Sequence, residues 1–110
     1  MNDFVKIFQP SGILDGTKAN EFHQEIKTCL DKETKIILID FQDVTFMDSS
    51  GLGSLVLLLK TVRAAEANIF LCSLNDQIKI LFDLTGMDRI FTIFSSRDDF
   101  DRGILQKDLS

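Results

Sequence analysis

Apolar residues along this chain keep two rhythms that take turns, short runs of strand length and longer stretches with spacings of three and four. Phe4, Val5, Ile7 and Phe8 form a first run, broken by Lys6 and stopped by the turn formers Pro10, Ser11 and Gly12. Ile13 and Leu14 give a second, very short strand, and two runs so close together predict a loose hairpin with antiparallel pairing. Beyond Gly16 and Thr17, the residues Ala19, Phe22, Ile26, Cys29 and Leu30 mark one face of a helix. Thr17 is its predicted N-cap, and His23 falls on or beside the solvated side.

Residues 35–41 read Lys-Ile-Ile-Leu-Ile-Asp-Phe, the clearest strand in the chain. Four consecutive apolar side chains load both faces of the pleat, as a central and mostly parallel strand requires. Residues 42–48 read as a loop, folded back on the core through Val44, Phe46 and Met47. A strongly apolar helix starts near Ser49 and closes around residues 64–66, and residues 68–73 make another strand. Asn75 is a good cap for a third helix, with Ile78, Leu81 and Phe82 on one face and Gly86 as its stop. Residues 90–94 predict a last strand, and Phe100, Ile104 and Leu105 a last helix.

The order β, β, α, β, α, β, α, β, α implies right-handed crossovers and a largely parallel sheet. The expected architecture is a single α/β domain over residues 1–110, with a sheet made mixed by the hairpin and packed with about four helices. Neither an internal repeat nor a linker is visible.

The helix after residue 48 begins Ser49-Ser50-Gly51-Leu52-Gly53, although glycine inside a helix costs about 1 kcal/mol relative to alanine. With Leu52 set at zero and about 100° per residue, Leu55, Val56, Leu59 and Val62 fall within about 80° of it and form the inward stripe. Ser50, Gly53, Ser54, Leu57 and Thr61 cluster roughly 150° away, a smooth outer strip around one large apolar residue. Such a strip suits docking of another protein, with Leu57 as anchor. Ser49 is the predicted N-cap, where free backbone N–H groups and the positive end of the helix dipole would tolerate a phosphate. Asp48 beside it would concentrate negative charge at the head of the strip. Helical counting does not choose between Ser49 and Ser50.

Composition narrows the classes. The chain has 110 residues, 45% of them hydrophobic and ten of them phenylalanine, enough for one packed core. A formal charge of −5 repels phosphate backbones and anionic lipid, so neither nucleic acid nor membrane is an expected partner. The start Met-Asn-Asp-Phe-Val-Lys lacks the pattern of a signal peptide, no apolar run reaches spanning length, and a cytoplasmic protein is expected. Cys29 and Cys72 with a lone His23 match no metal-ligand spacing and read as reduced thiols. No metal or other cofactor is expected.

Catalytic motifs fit poorly. Gly51-x-Gly53 lacks the rest of a phosphate or dinucleotide loop, and Met47 stands where a nucleophile elbow needs glycine. Asp40, Asp43 and Asp48 follow no familiar magnesium or phosphoacceptor spacing. An enzyme is not expected.

The string Asp43-Val-Thr-Phe-Met-Asp-Ser-Ser-Gly-Leu-Gly53 closely resembles the signature of the STAS domain, the sulfate transporter and anti-sigma factor antagonist family. The resemblance continues in Gly12-Ile-Leu-Asp15, in the strand before the signature, and in Leu84-Thr-Gly86 followed by Phe91, so it spans nearly the whole chain. A free-standing domain of this length resembles a bacterial anti-sigma factor antagonist. The resemblance implies binding, in the unphosphorylated form, to an anti-sigma factor that is also a serine kinase, with release on phosphorylation and a serine phosphatase to reset the switch. It implies that Ser49 is the phosphoacceptor, chosen over Ser50, and that Asp15 and Asp48 are acidic residues of the partner site. With Ser49, Ser50, Gly51, Gly53, Ser54, Leu57 and Thr61 they form the expected partner-binding set. A constitutive STAS scaffold or sensor subunit of another signalling or lipid-transport assembly is the alternative, and a nucleotide-binding domain a third reading.

Overall fold

In a computed structural model of the chain, which describes residues 4–30 and 33–105, the strands form two groups. The main sheet holds β1 (Val5–Phe8), β3 (Ile36–Asp40), β5 (Asn68–Cys72) and β6 (Thr92–Phe94) in the order β1-β3-β5-β6. Beside it, β2 (Ser11–Leu14) pairs with β4 (Asp43–Met47). The helices are α1 (Gly16–Leu30), α2 (Ser49–Ala64), α3 (Asp76–Thr85) and α4 (Arg97–Phe100), the last continued by a wide π-type turn at Asp101–Leu105. This is the expected α/β domain with four helices.

The N-terminal pairing differs from expectation. β1 runs parallel to β3, Val5 opposite Ile36, and β2 runs parallel to β4, so no β1–β2 hairpin forms. Pro10, between the two strands, has no N–H to donate to a ladder, and Gly12 inside β2, with φ at +76°, stands at the irregularity in its pairing with β4. Residues 43–47, expected as loop, are the strand β4. Val44 and Met47 do point into the core, but Phe46 is 45% exposed.

β3 is buried on both faces, as its run of apolar residues requires. One face meets the core formed with α1, α2 and α3, through residues such as Ile37, Ile39, Phe22, Leu55 and Phe82. The other, made by Ile36 and Leu38 with Cys72 of neighbouring β5, is covered by Phe100 of α4 with Ile104 and Leu105 packed against it. There Phe100 meets the rings of Phe70 and Phe94 at centroid distances of 5.6 and 5.8 Å. Burial pushes the Cys72 thiol up to about 11, so it stays protonated at neutral pH. Both cysteines are free. Among the described residues no helix is long and apolar enough to cross a membrane.

Candidate functional site at the heads of two helices

Leu14 of β2 and Met47 of β4 are opposite one another, so the chain leaves the two strands side by side through Asp15 and Asp48. Each aspartate starts a helix. The Asp48 carbonyl accepts from Leu52 N–H at 3.1 Å, and its Oδ1 accepts from Gly51 N–H at 2.8 Å. Asp48, with extended backbone at φ −101° and ψ 177°, is therefore the N-cap of α2. Ser49 was the expected cap and is instead the first helical residue. A carboxylate accepts an N–H more strongly than a hydroxyl does, and Asp48 takes the position one residue earlier. These bonds, Gly51 N–H first and the Ser50 hydroxyl next, hold the Asp48 carboxyl below its ordinary range.

Asp15 acts in the same way for α1. Its carbonyl accepts from Ala19 N–H at 2.9 Å and its Oδ1 from Lys18 N–H at 3.0 Å, so Asp15, not Thr17, is the cap. One hydrogen bond fastens the two helix heads together, and a close approach seats α2 on β2. Ser50 Oγ accepts the Gly16 N–H at 3.1 Å and donates to Asp48 Oδ1 at 2.8 Å. Gly51 faces β2 so closely that a Cβ there would stand 2.1 Å from the Leu14 carbonyl oxygen. Gly51 is thus buried under the site, outside the outer strip as the helical count has it, and its place in the expected partner-binding set is corrected to one beneath that surface. Its glycine is explained by close approach of two backbones.

The adjacent serines have unlike surroundings. The Ser50 hydroxyl is committed at both ends. Ser49 is exposed, and its hydroxyl has no hydrogen bond among the described residues.

Along α2, Leu52, Leu55, Leu58, Leu59 and Val62 point inward. Leu58 was not in the expected stripe, and Val56, which was, is only half-buried. On the other side Ser50 and Gly53 are exposed, Leu57 is 57% exposed, and Ser54 and Thr61 are half-buried. The far end of this strip adjoins α1. Thr61 Oγ1 donates to the Leu57 carbonyl at 3.2 Å and lies 3.1 Å from His23 Nε2. His23, expected to be solvated, therefore bridges the two helices. Partial burial, and then the nearby Lys27 charge, lower its pKa.

Gln77 in the first turn of α3 and Asn75, its cap, support the site from a third side. Gln77 clamps the last residue of β4, with Met47 N–H donating to its Oε1 at 2.9 Å and its Nε2 donating to the Met47 carbonyl at 2.8 Å. Asn75 caps α3 by accepting Ile78 N–H at 2.9 Å, and its Nδ2 donates to the carbonyls of Val44 and Thr45. The cap was legible in sequence, whereas the clamp was not, because Gln77 is an ordinary polar residue of a first turn. Asp40, Asp43 and Asp48 are not brought together. Asp43 takes a hydrogen bond from Gln9, and Asp40, 1% exposed, turns toward Gln42 N–H and Arg97.

The family model described as the STAS domain matches residues 2–100. An anti-sigma-B factor antagonist of Listeria monocytogenes is 32% identical over 91 residues, covering 83% of this chain and 79% of that protein. Among solved structures, the anti-sigma factor antagonist SpoIIAA in its unphosphorylated form gives a TM-score of 0.76 at 19% identity, covering 93% of this chain and 90% of that one. Bacillus SpoIIAA in its phosphorylated form gives 0.69 at 19% identity, covering 93% of each chain. At that identity the structural likeness speaks for the fold.

Proposed function

This chain belongs to the STAS domain family, and we propose that it acts as an anti-sigma factor antagonist switched by phosphorylation of Ser49. The unphosphorylated form binds an anti-sigma factor that is also a serine kinase, and the sigma factor is released. The kinase then modifies Ser49, the complex parts, and a serine phosphatase restores the first state. The domain acts by occupying its partner and performs no catalysis of its own.

The observation that carries the assignment is the contrast between neighbouring hydroxyls. Ser50 already donates to Asp48 and accepts from Gly16, so a phosphate there would remove the donor to Asp48 and set its own charge directly against that carboxylate. Ser49 is exposed with an uncommitted hydroxyl on the first turn of α2. Its oxygen can form the new O–P bond as the bond from the γ-phosphorus of ATP to ADP breaks, with the hydroxyl proton passing to the kinase's base.

The phosphate would add about −1.5 to −2 charges beside the Asp48 carboxylate. The positive end of the α2 dipole makes that tolerable to the fold. A partner seated over Asp15, Asp48 and the strip of Ser50, Gly53, Ser54, Leu57 and Thr61 would meet the charge at its edge. Gly51 serves this surface from beneath by letting α2 seat on β2.

If the phosphate costs about 3 kcal/mol of binding, affinity falls roughly 150-fold, enough to dissolve a micromolar complex. Incubation with the kinase and ATP, followed by mass-spectrometric mapping, tests the assignment. Phosphate on Ser49 is the expected result, and a product modified only elsewhere contradicts it.

A further inference from the structure

Four groups at the paired helix heads form one line of hydrogen bonds. Gly16 N–H donates to Ser50 Oγ, Ser50 O–H donates to Asp48 Oδ1, and Gly51 N–H donates to that same oxygen. We propose that Ser50 is a positioning residue that couples Ser49 to the head of α1, so that a phosphate on Ser49 rearranges the Asp15–Gly16 turn. The proposal rests on Ser49 as the modified residue and adds a second segment of the surface to what the modification controls.

Asp48 Oδ1 holds two donors, and a phosphate one residue along the chain would compete for both. A phosphate of nearly two charges repels the adjacent carboxylate and competes with it for the free N–H groups of the first turn. A serine hydroxyl carries one proton and rotates to the stronger acceptor. If Ser50 O–H turns from Asp48 to the phosphate, its lone pairs leave Gly16 N–H. Gly16 is only partly buried, and its N–H then opens to solvent.

Packing ties the same two residues. The two residues lie close together, since a Cβ added at Gly16 would stand 3.3 Å from both Cβ and Oγ of Ser50. Asp15, immediately before Gly16, caps α1. A partner that reads Asp15 would therefore lose its contact there as well as meeting new charge at Ser49.

The test separates this coupling from the identity of the kinase's target. Phosphoserine is placed at position 49 during synthesis of the full chain, by genetic encoding, without any kinase. The Gly16 amide is then followed by 15N–1H correlation spectra and hydrogen exchange in the wild type, Ser50→Ala and Ser50→Thr. In the wild type the phosphate should move the Gly16 resonance and speed its exchange about tenfold, the scale of one lost hydrogen bond. In Ser50→Ala the unmodified protein should already show fast Gly16 exchange, and phosphate should add nothing. Ser50→Thr should restore the wild-type response. An unchanged Gly16 amide in the phosphorylated wild type, or an equal response in Ser50→Ala, overturns the coupling. Failure of the kinase to modify Ser49 would instead strike at the switch and leave this result standing.

Discussion

The heads of α2 and α3 begin alike and end up doing different work. Each follows an extended residue whose side-chain oxygen accepts an N–H three places on, Asp48 from Gly51 at 2.8 Å and Asn75 from Ile78 at 2.9 Å. At α3 the remaining polar groups turn inward. Asn75 and Gln77 bond to the backbone of β4, and the helix head becomes a brace. At α2 the cap gathers Ser50 and Gly51 and leaves the Ser49 hydroxyl exposed. Capping is common to both, so it does not by itself mark a functional site. An uncommitted hydroxyl beside a charged cap, on a head pressed close to its neighbour, is what sets α2 apart.

The comparison breaks most severely at Gly51. Gly51→Ala drives a Cβ against the Leu14 carbonyl, and backbone on both sides leaves little room to give. A loss of about 3 kcal/mol is expected from such overpacking, measured as a lower urea midpoint. Gly53→Ala is the control, since a Cβ there meets nothing within 4 Å. It should stabilise α2 by up to about 1 kcal/mol, and a destabilisation similar to that of Gly51→Ala would refute the packing explanation.

Asn75→Ala removes a cap and two bonds to β4, and a loss of about 1–2 kcal/mol should appear in thermal or urea unfolding. Partner affinity measured well below the melting temperature should stay near that of the wild type. A large affinity loss in the folded variant would mean that the α3 head touches the partner.

A subtler distinction lies in pH. The Asp48 carboxyl is held below its ordinary range by Gly51 N–H and then by Ser50, so the ionised form is favoured by folding. Its stabilising contribution is complete above the unfolded-state value and is lost as pH falls through the depressed folded value. As pH falls below about 5, wild type should therefore lose more stability than Asp48→Asn, whose amide oxygen still accepts at the cap. Parallel acid profiles would show that the carboxylate charge contributes nothing there.

Much of this architecture is readable from the residues alone, for reasons that also explain the misses. β3 announces itself because both its faces are buried, and α3 because Asn75 and Gly86 bracket a regular apolar face. The pairing of β1 and β2 escapes, since two short apolar runs do not state which neighbours they choose. β4 reads as a loop because Asp43 and Thr45 break its apolar content.

At the site the outer strip of α2 follows from helical geometry, which already leaves Gly51 out; the expectation that fails is its place in the partner-binding set. A glycine has no side chain to enter a hydrophobic period, so its inward contact with Leu14 leaves no trace in the pattern. Asp48, Ser49 and Ser50 are three cap-forming residues in a row, and local preference does not decide among them. The tertiary bond from Gly16 N–H to Ser50 holds one serine in place, which the order of residues does not reveal.

The most direct measurement compares unmodified and Ser49-phosphorylated protein, each titrated calorimetrically against the anti-sigma factor kinase, with thermal unfolding recorded for both. The switch predicts roughly 150-fold weaker binding after phosphorylation, with the melting temperature nearly unchanged because the charge sits at the head of α2. Equal affinity of two equally folded forms would contradict it.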